Sequence, residues 1–166
     1  MTVYQLLKDL AEEIEAVLAD MIFKDPKGKM EHMRAFPQAL PKREQNVKIG
    51  DLLPDEGEDD EDPYPYCVVR AESGNMGVGA QKVKILLIFG IFDDDIQNQG
   101  QTELLNVIHR VTERFIKNPV LKDRYRLDLD AGMYWILDDE DRFPYFAGGV
   151  GMTWDTFFVE KEDDYV

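Results

Sequence analysis

Three aspartates in a row, Asp93, Asp94 and Asp95, with Gln97 two positions on, are residues whose spacing invites a chemical reading. Oxygen ligands at that spacing open a calcium loop, which then needs a glycine at its sharp turn and a bidentate glutamate at its close. Asn98 stands at the turn and Leu104 at the close, so an EF-hand is rejected. Residues 55–62 carry seven carboxylates in eight positions. Such a run repels itself and buries no apolar surface, so it reads as a mobile surface loop in preference to a metal trap. Cys67, His32 and His109 fall at unrelated positions and supply neither a zinc spacing nor a thiol–imidazole pair. The glycines of residues 72–80 lead into a strand and lack the Lys-Ser/Thr ending of a phosphate loop, so this stretch is expected to be a hairpin loop. With 34 acids in 166 residues, neighbouring carboxylates follow from composition and do not mark a glycosidase pair. No catalytic, metal or cofactor residue is assigned, and the chain is read as a non-enzyme.

The charge balance narrows the partners. Lys+Arg 19 against Asp+Glu 34 leaves a formal charge of -15, which opposes direct contact with nucleic-acid phosphates or an anionic membrane. Basic or neutral protein surfaces are favoured. The single cysteine, Cys67, sits beside Val68 and Val69, permits no intrachain disulfide and fits a reducing cytoplasm. The opening Met1-Thr-Val-Tyr-Gln lacks the basic-then-apolar pattern of a signal peptide, and no apolar run approaches the roughly 18 residues of a membrane span.

The elements that would position these residues follow from periodicity. Thr2 with Gln5 forms a capping box, and Leu6, Leu7, Leu10, Ile14, Val17, Leu18 and Met21 keep helical spacing, predicting a helix over residues 1–23. Residues 26–63, with Pro37, Pro41 and the acidic run, are expected to be irregular. A core over residues 64–160 follows. It begins with a strand at residues 64–70 and continues with a central strand at residues 82–92, apolar on both sides. A helix then runs from Gly100 to Asn118-Pro119, with Leu104, Leu105, Ile108, Val111, Phe115 and Ile116 on one face. Tyr125, Leu127 and Leu129 alternate with charges, residues 133–137 form a further short strand, and Val150, Met152 and Trp154 share a face of a long last strand ending near Glu160. Gly148, Gly149 and Gly151 permit a bulge or close backbone approach. Residues 161–166 are a charged tail. The expectation is one α+β domain over residues 1–166: a mainly antiparallel sheet of four to five strands with the N-terminal and central helices packed on it.

The order of motifs over residues 64–160 resembles the tail terminator, or tail completion, proteins of long-tailed phages and prophages, including the lambda-like ones. The matching residues are Tyr64-Pro65 before Val68-Val69-Arg70, the strand end Gly90 to Asp93, then Asp95, Gly100, Leu104 to Ile108 and Arg110. Leu121, Arg124 to Leu127, Asp139-Glu140, Pro144 to Gly148 and Trp154 continue it. Gln101 departs from the aromatic that often follows the glycine, and His109 from the usual glutamate.

The resemblance implies a structural protein that forms a ring, typically hexameric, on the head-proximal end of the tail tube. There it would stop growth of the tube and meet the head–tail connector proteins, in the virion tail after assembly in the host cytoplasm. A ring needs heterologous contacts that close by rotation. With -15 per subunit, we expect local basic residues Arg110, Arg114, Lys117, Lys122, Arg124 and Arg126 to meet acidic loops of a neighbour, with Asp93, Asp94, Asp95 and Trp154 as further interface candidates. Two alternatives stand beside it: another connector protein of the same particle, and an acidic DNA mimic that blocks a host DNA-binding enzyme.

Overall fold

In the computed structural model, residues 2–41, 63–97 and 100–157 are described. The acidic run at 55–62 and the tail at 161–166 lie outside them. Helix α1 spans Val3–Val17, started by Thr2, whose hydroxyl oxygen accepts the Gln5 N–H at 3.1 Å. It stops short of the expected residue 23: the Leu18 N–H closes onto the Ile14 and Ala16 carbonyls, and the Met21 N–H bonds to Leu18. The freed chain forms β1 (Phe23–Lys24), which pairs antiparallel with β2 (Met30–Glu31). Then come β3 (Arg34–Pro37), β4 (Tyr66–Gly77) and β5 (Ala80–Phe92). After α2 (Gly100–Lys117) follow β6 (Val120–Leu121), β7 (Tyr125–Leu127), β8 (Tyr134–Leu137) and β9 (Tyr145–Phe157).

The expectation of four to five antiparallel strands is overturned. A seven-stranded sheet runs β3-β4-β5-β9-β7-β6, with β8 also on β9, and β3 is parallel to β4. The molecule is sheet-dominated, 41% strand and 25% helix, and the sheet is mixed and curled. Two strands beyond the five expected, β3 and the two-residue β6, make up the difference, and β4 is longer than expected. Pro37 made β3 look irregular, yet proline is tolerated on the outer strand of a sheet. The glycines of residues 72–80 suggest a loop, yet β4 runs on to Gly77, past a register shift at Ala71/Ser73, and Gly79, at φ +72°, makes the turn directly into β5.

One face of the sheet carries both helices. α1 lies on β3 and β4, and α2 on β9 and β5. Strand alternation sends Val83, Ile85, Leu87, Phe89 and Ile91 of β5, with Val150, Met152 and Trp154 of β9, to that face, where all are buried. Leu6, Leu10 and Ile14 answer from α1, and Leu104, Val107, Ile108, Val111 and Phe115 from α2. Each such side chain contributes about 1.5–3 kcal/mol when fully buried. The α2 stripe is rotated from the expected one: Leu105 and Ile116 are exposed, and Val107 is buried in their place. At about 100° per residue, 104, 107, 108, 111 and 115 make a continuous stripe, with 105 and 116 on its margins.

Candidate interaction surface

The sheet face opposite the helices carries no further layer among the described residues. At one end it is polar: Lys82 Nζ holds Asp128 at 2.7 Å and Asp155 at 2.9 Å, tying β5, β9 and the chain beyond β7 together. These hydrogen bonds, Asp128's first, hold the Lys82 ammonium above its usual range, and Lys82 in turn holds the Asp128 carboxyl below its own. Toward the other end the face turns apolar. Leu86 and Ile88 of β5 and Ile136 of β8 line a shallow groove of about 320 Å³, whose floor is Ala147 and Gly149 of β9. The glycines make it. A Cβ on Gly149 would stand 2.9 Å from the Leu87 carbonyl, and one on Gly151 would collide with the Tyr134 ring. Tyr134 and Ile136 are 54% and 52% exposed on this face, and Trp135, opposite Val150, is 56% exposed on the other.

The residues expected to form an interface are placed otherwise. Trp154 is fully buried, edge-on to Phe115, with its indole N–H 2.8 Å from Met152 Sδ, so it is a core residue and offers nothing to a partner. Four of the basic residues meet acids of their own chain. Arg110 pairs with Asp20, Arg114 with Glu13 at 2.6 Å, Lys122 with Glu12 at 3.5 Å and Lys117 with Glu113 at 2.5 Å. Three of these pairs run from α1 (Glu12, Glu13) and the turn after it (Asp20) to α2 and the turn after β6, where they clamp the helices side by side. Lys117 draws the Glu113 carboxyl below its usual range. Arg124 and Arg126 are exposed on or beside β7 and make no ion pair among the described residues.

Asp93, Asp94 and Asp95 form a chain of local contacts. The Asp93 and Asp95 carboxylates accept the N–H groups of Asp95 and Gln97, and Asp94 pairs with Lys24 at 3.0 Å. They serve as turn and tether. Asp93 also lies near Glu103, whose carboxyl is raised by burial first and by Asp93 second. Cys67 is buried and its thiol pushed well up, so no thiolate is offered at neutral pH. Among the described residues no group of three or more His, Cys, Asp or Glu side chains is arranged to hold a metal ion, and no helix is long and apolar enough to cross a membrane. Neither a scan against protein-family models nor a search of curated proteins gave a match.

What sequence reasoning missed is the Tyr134–Leu137 strand as a surface feature. Its signal was legible: four apolar residues in succession, without the alternation of a half-buried strand, preceded by Asp128 and Asp130 and followed by Asp138, Asp139, Glu140 and Asp141. A strand apolar on both sides and too short to cross the core has its second apolar side left over.

Proposed function

We propose that this chain is a structural, non-enzymatic phage protein that assembles as a ring on the head-proximal end of a tail tube and joins it to the capsid neck. Two things support the reading: the motif order over residues 64–160, and the apolar groove of Leu86, Ile88 and Ile136 on a sheet face that no helix covers among the described residues. The groove carries the argument. A protein that worked alone would gain by covering such a surface, whereas stable protein contacts bury about 800 Å² per partner and place apolar residues at their centre.

Net charge governs when the ring forms. Subunits of charge -15 repel one another, so the isolated protein should be monomeric or weakly associated at low salt and gain mass as salt rises. Screening shortens from about 8 Å at 0.15 M to about 3 Å at 1 M while apolar contact persists. Light scattering over that range, with and without the cognate tail tube protein, tests this, alongside tube length by electron microscopy. Growth in mass and a fixed tube length support the cap. A strict monomer that neither binds tube protein nor limits tube length overturns it, and competition with duplex DNA for a host enzyme would favour the DNA mimic.

A further inference from the structure

We infer that the free edge of β8 takes up, as an added β-strand, an extended segment of a different polypeptide whose centre alternates apolar residues and whose two ends carry lysine or arginine. This concerns the edge itself and stands whether or not the chain caps a tail tube.

The main chain supplies the first reason. Among the described residues β8 pairs with β9 alone, in register Tyr134↔Gly151 to Leu137↔Gly148, and the Asp138 N–H bonds to the Ala147 carbonyl at 2.9 Å. In an antiparallel ladder the direction of these groups alternates, so the N–H and C=O of Trp135 and Leu137 point away from β9. No described strand meets them. Edges of this kind are normally blunted by proline, lysine or a bulge, and Tyr134–Leu137 has none of these.

The side chains supply the second. A strand laid on this edge would place alternate residues beside Tyr134 and Ile136 on the outer sheet face, over the apolar groove, and the others beside Trp135. Main-chain bonds would give affinity and these two apolar surfaces would select residues, as in other strand-addition complexes.

Charge then chooses the occupant. Asp128 and Asp130 precede the strand and Asp138, Asp139, Glu140 and Asp141 follow it; Lys82 pairs with Asp128 at 2.7 Å, and Arg142 with Asp138 at 2.9 Å and Glu140 at 2.6 Å, which leaves an acidic excess at both ends. Asp130, Asp139 and Asp141 are exposed and make no ion pair among the described residues. A second copy of β8 is disfavoured in either direction: antiparallel pairing sets Asp138 to Asp141 against Asp128 and Asp130 of the other chain, and parallel pairing sets each acidic group against itself. The chain's other sheet edges do not serve either. On β3 the Ala35 N–H is taken by Glu15 at 2.9 Å and Pro37 has none, while β6 is two residues long behind Pro119. A basic-ended strand from another protein satisfies both the ladder and the field.

The test uses the whole chain and a synthetic peptide alternating valine and threonine between two lysines at each end. Trp135 is exposed and Trp154 buried, so Trp135 reports the edge. Titration should shift tryptophan emission to shorter wavelength and saturate, and W135F should abolish the shift. Methylating alternate peptide nitrogens, or replacing Ile136 by lysine, should weaken binding about tenfold, the equivalent of one lost strand contact. D139N with D141N should weaken it about threefold at low salt, with the difference gone near 1 M, where screening acts over about 3 Å. Equal binding of the methylated peptide, or no emission change while circular dichroism shows the fold intact, overturns the proposal. So does a peptide-free dimer by sedimentation that I136K dissociates, because the occupant would then be a second copy.

Discussion

Two edges of one sheet are finished in opposite ways. β3 is shielded: Pro37 lacks a donor, the Glu15 carboxylate of α1 accepts the Ala35 N–H at 2.9 Å, and the Gln38 side chain bridges back to Ala71 of β4. β8 has the same length, four residues, yet its outward groups meet no described partner and three of its side chains are more than half exposed. The difference teaches that this sequence has the means to close an edge, applies them at β3, where α1 lies within reach, and does not apply them at β8 among the described residues. An edge left open in such a molecule is a surface for use.

The largest effect should come from removing what both edges share. Trp154→Ala empties a fully buried site and should cost about 3–5 kcal/mol, read from chemical denaturation, with amide exchange at Phe36 and Ile136 quickening together. If only one edge responded, the single core described above would be wrong.

Gly148→Val should separate the two. Its Cβ would stand 2.9 Å from the Ile136 carbonyl, which is backbone and must move. A loss of about 1–3 kcal/mol is expected, with exchange accelerated at residues 134–137 and unchanged at residues 34–37. Glu15→Ala should do the converse on a smaller scale. Removing the acceptor of the Ala35 N–H should cost about 1 kcal/mol and expose that amide alone.

The smallest effect concerns the Lys82 clasp beneath the chain that leads into β8. Asp128 has its folded pKa depressed by Lys82, so its contribution is full above the ordinary carboxylate range and is lost as pH falls through the lowered value. Lys82, with its folded pKa raised, contributes fully below the ordinary lysine range and loses that contribution as pH rises through the higher value. Asp128→Asn should therefore flatten the acid limb of stability against pH. The change is slight, because the clasp is solvent-screened.

Much of this was legible in the sequence. Thr2 and Gln5 announce the start of α1, Gly100 and Asn118-Pro119 bracket α2, and Val150, Met152 and Trp154 share one face of β9, because capping and periodicity are local. What was hidden depends on pairing at a distance. Nothing within Arg34–Pro37 says that it will lie parallel to Tyr66–Gly77, and proline argues against any strand until its position at the sheet edge is known. The basic residues looked free for a neighbour because their partners, Glu12, Glu13 and Asp20, lie about a hundred residues earlier in the chain. Trp154 is an interface candidate by sequence for the same reason: aromatic residues suit both cores and interfaces, and the position of Phe115 decides between them.

The central place of β5 has a consequence during synthesis. Its first neighbour, β4, precedes it across a two-residue turn, but its second, β9, is joined through the register Phe92↔Tyr145 and is translated long after it. While the ribosome works through the intervening residues, a thirteen-residue strand rich in isoleucine, leucine and phenylalanine stands with one side unpaired. At elongation rates of about 5–20 residues per second that interval lasts several seconds. The nascent chain therefore depends in that interval on α2, which is made next, to lie over the apolar face before another polypeptide does.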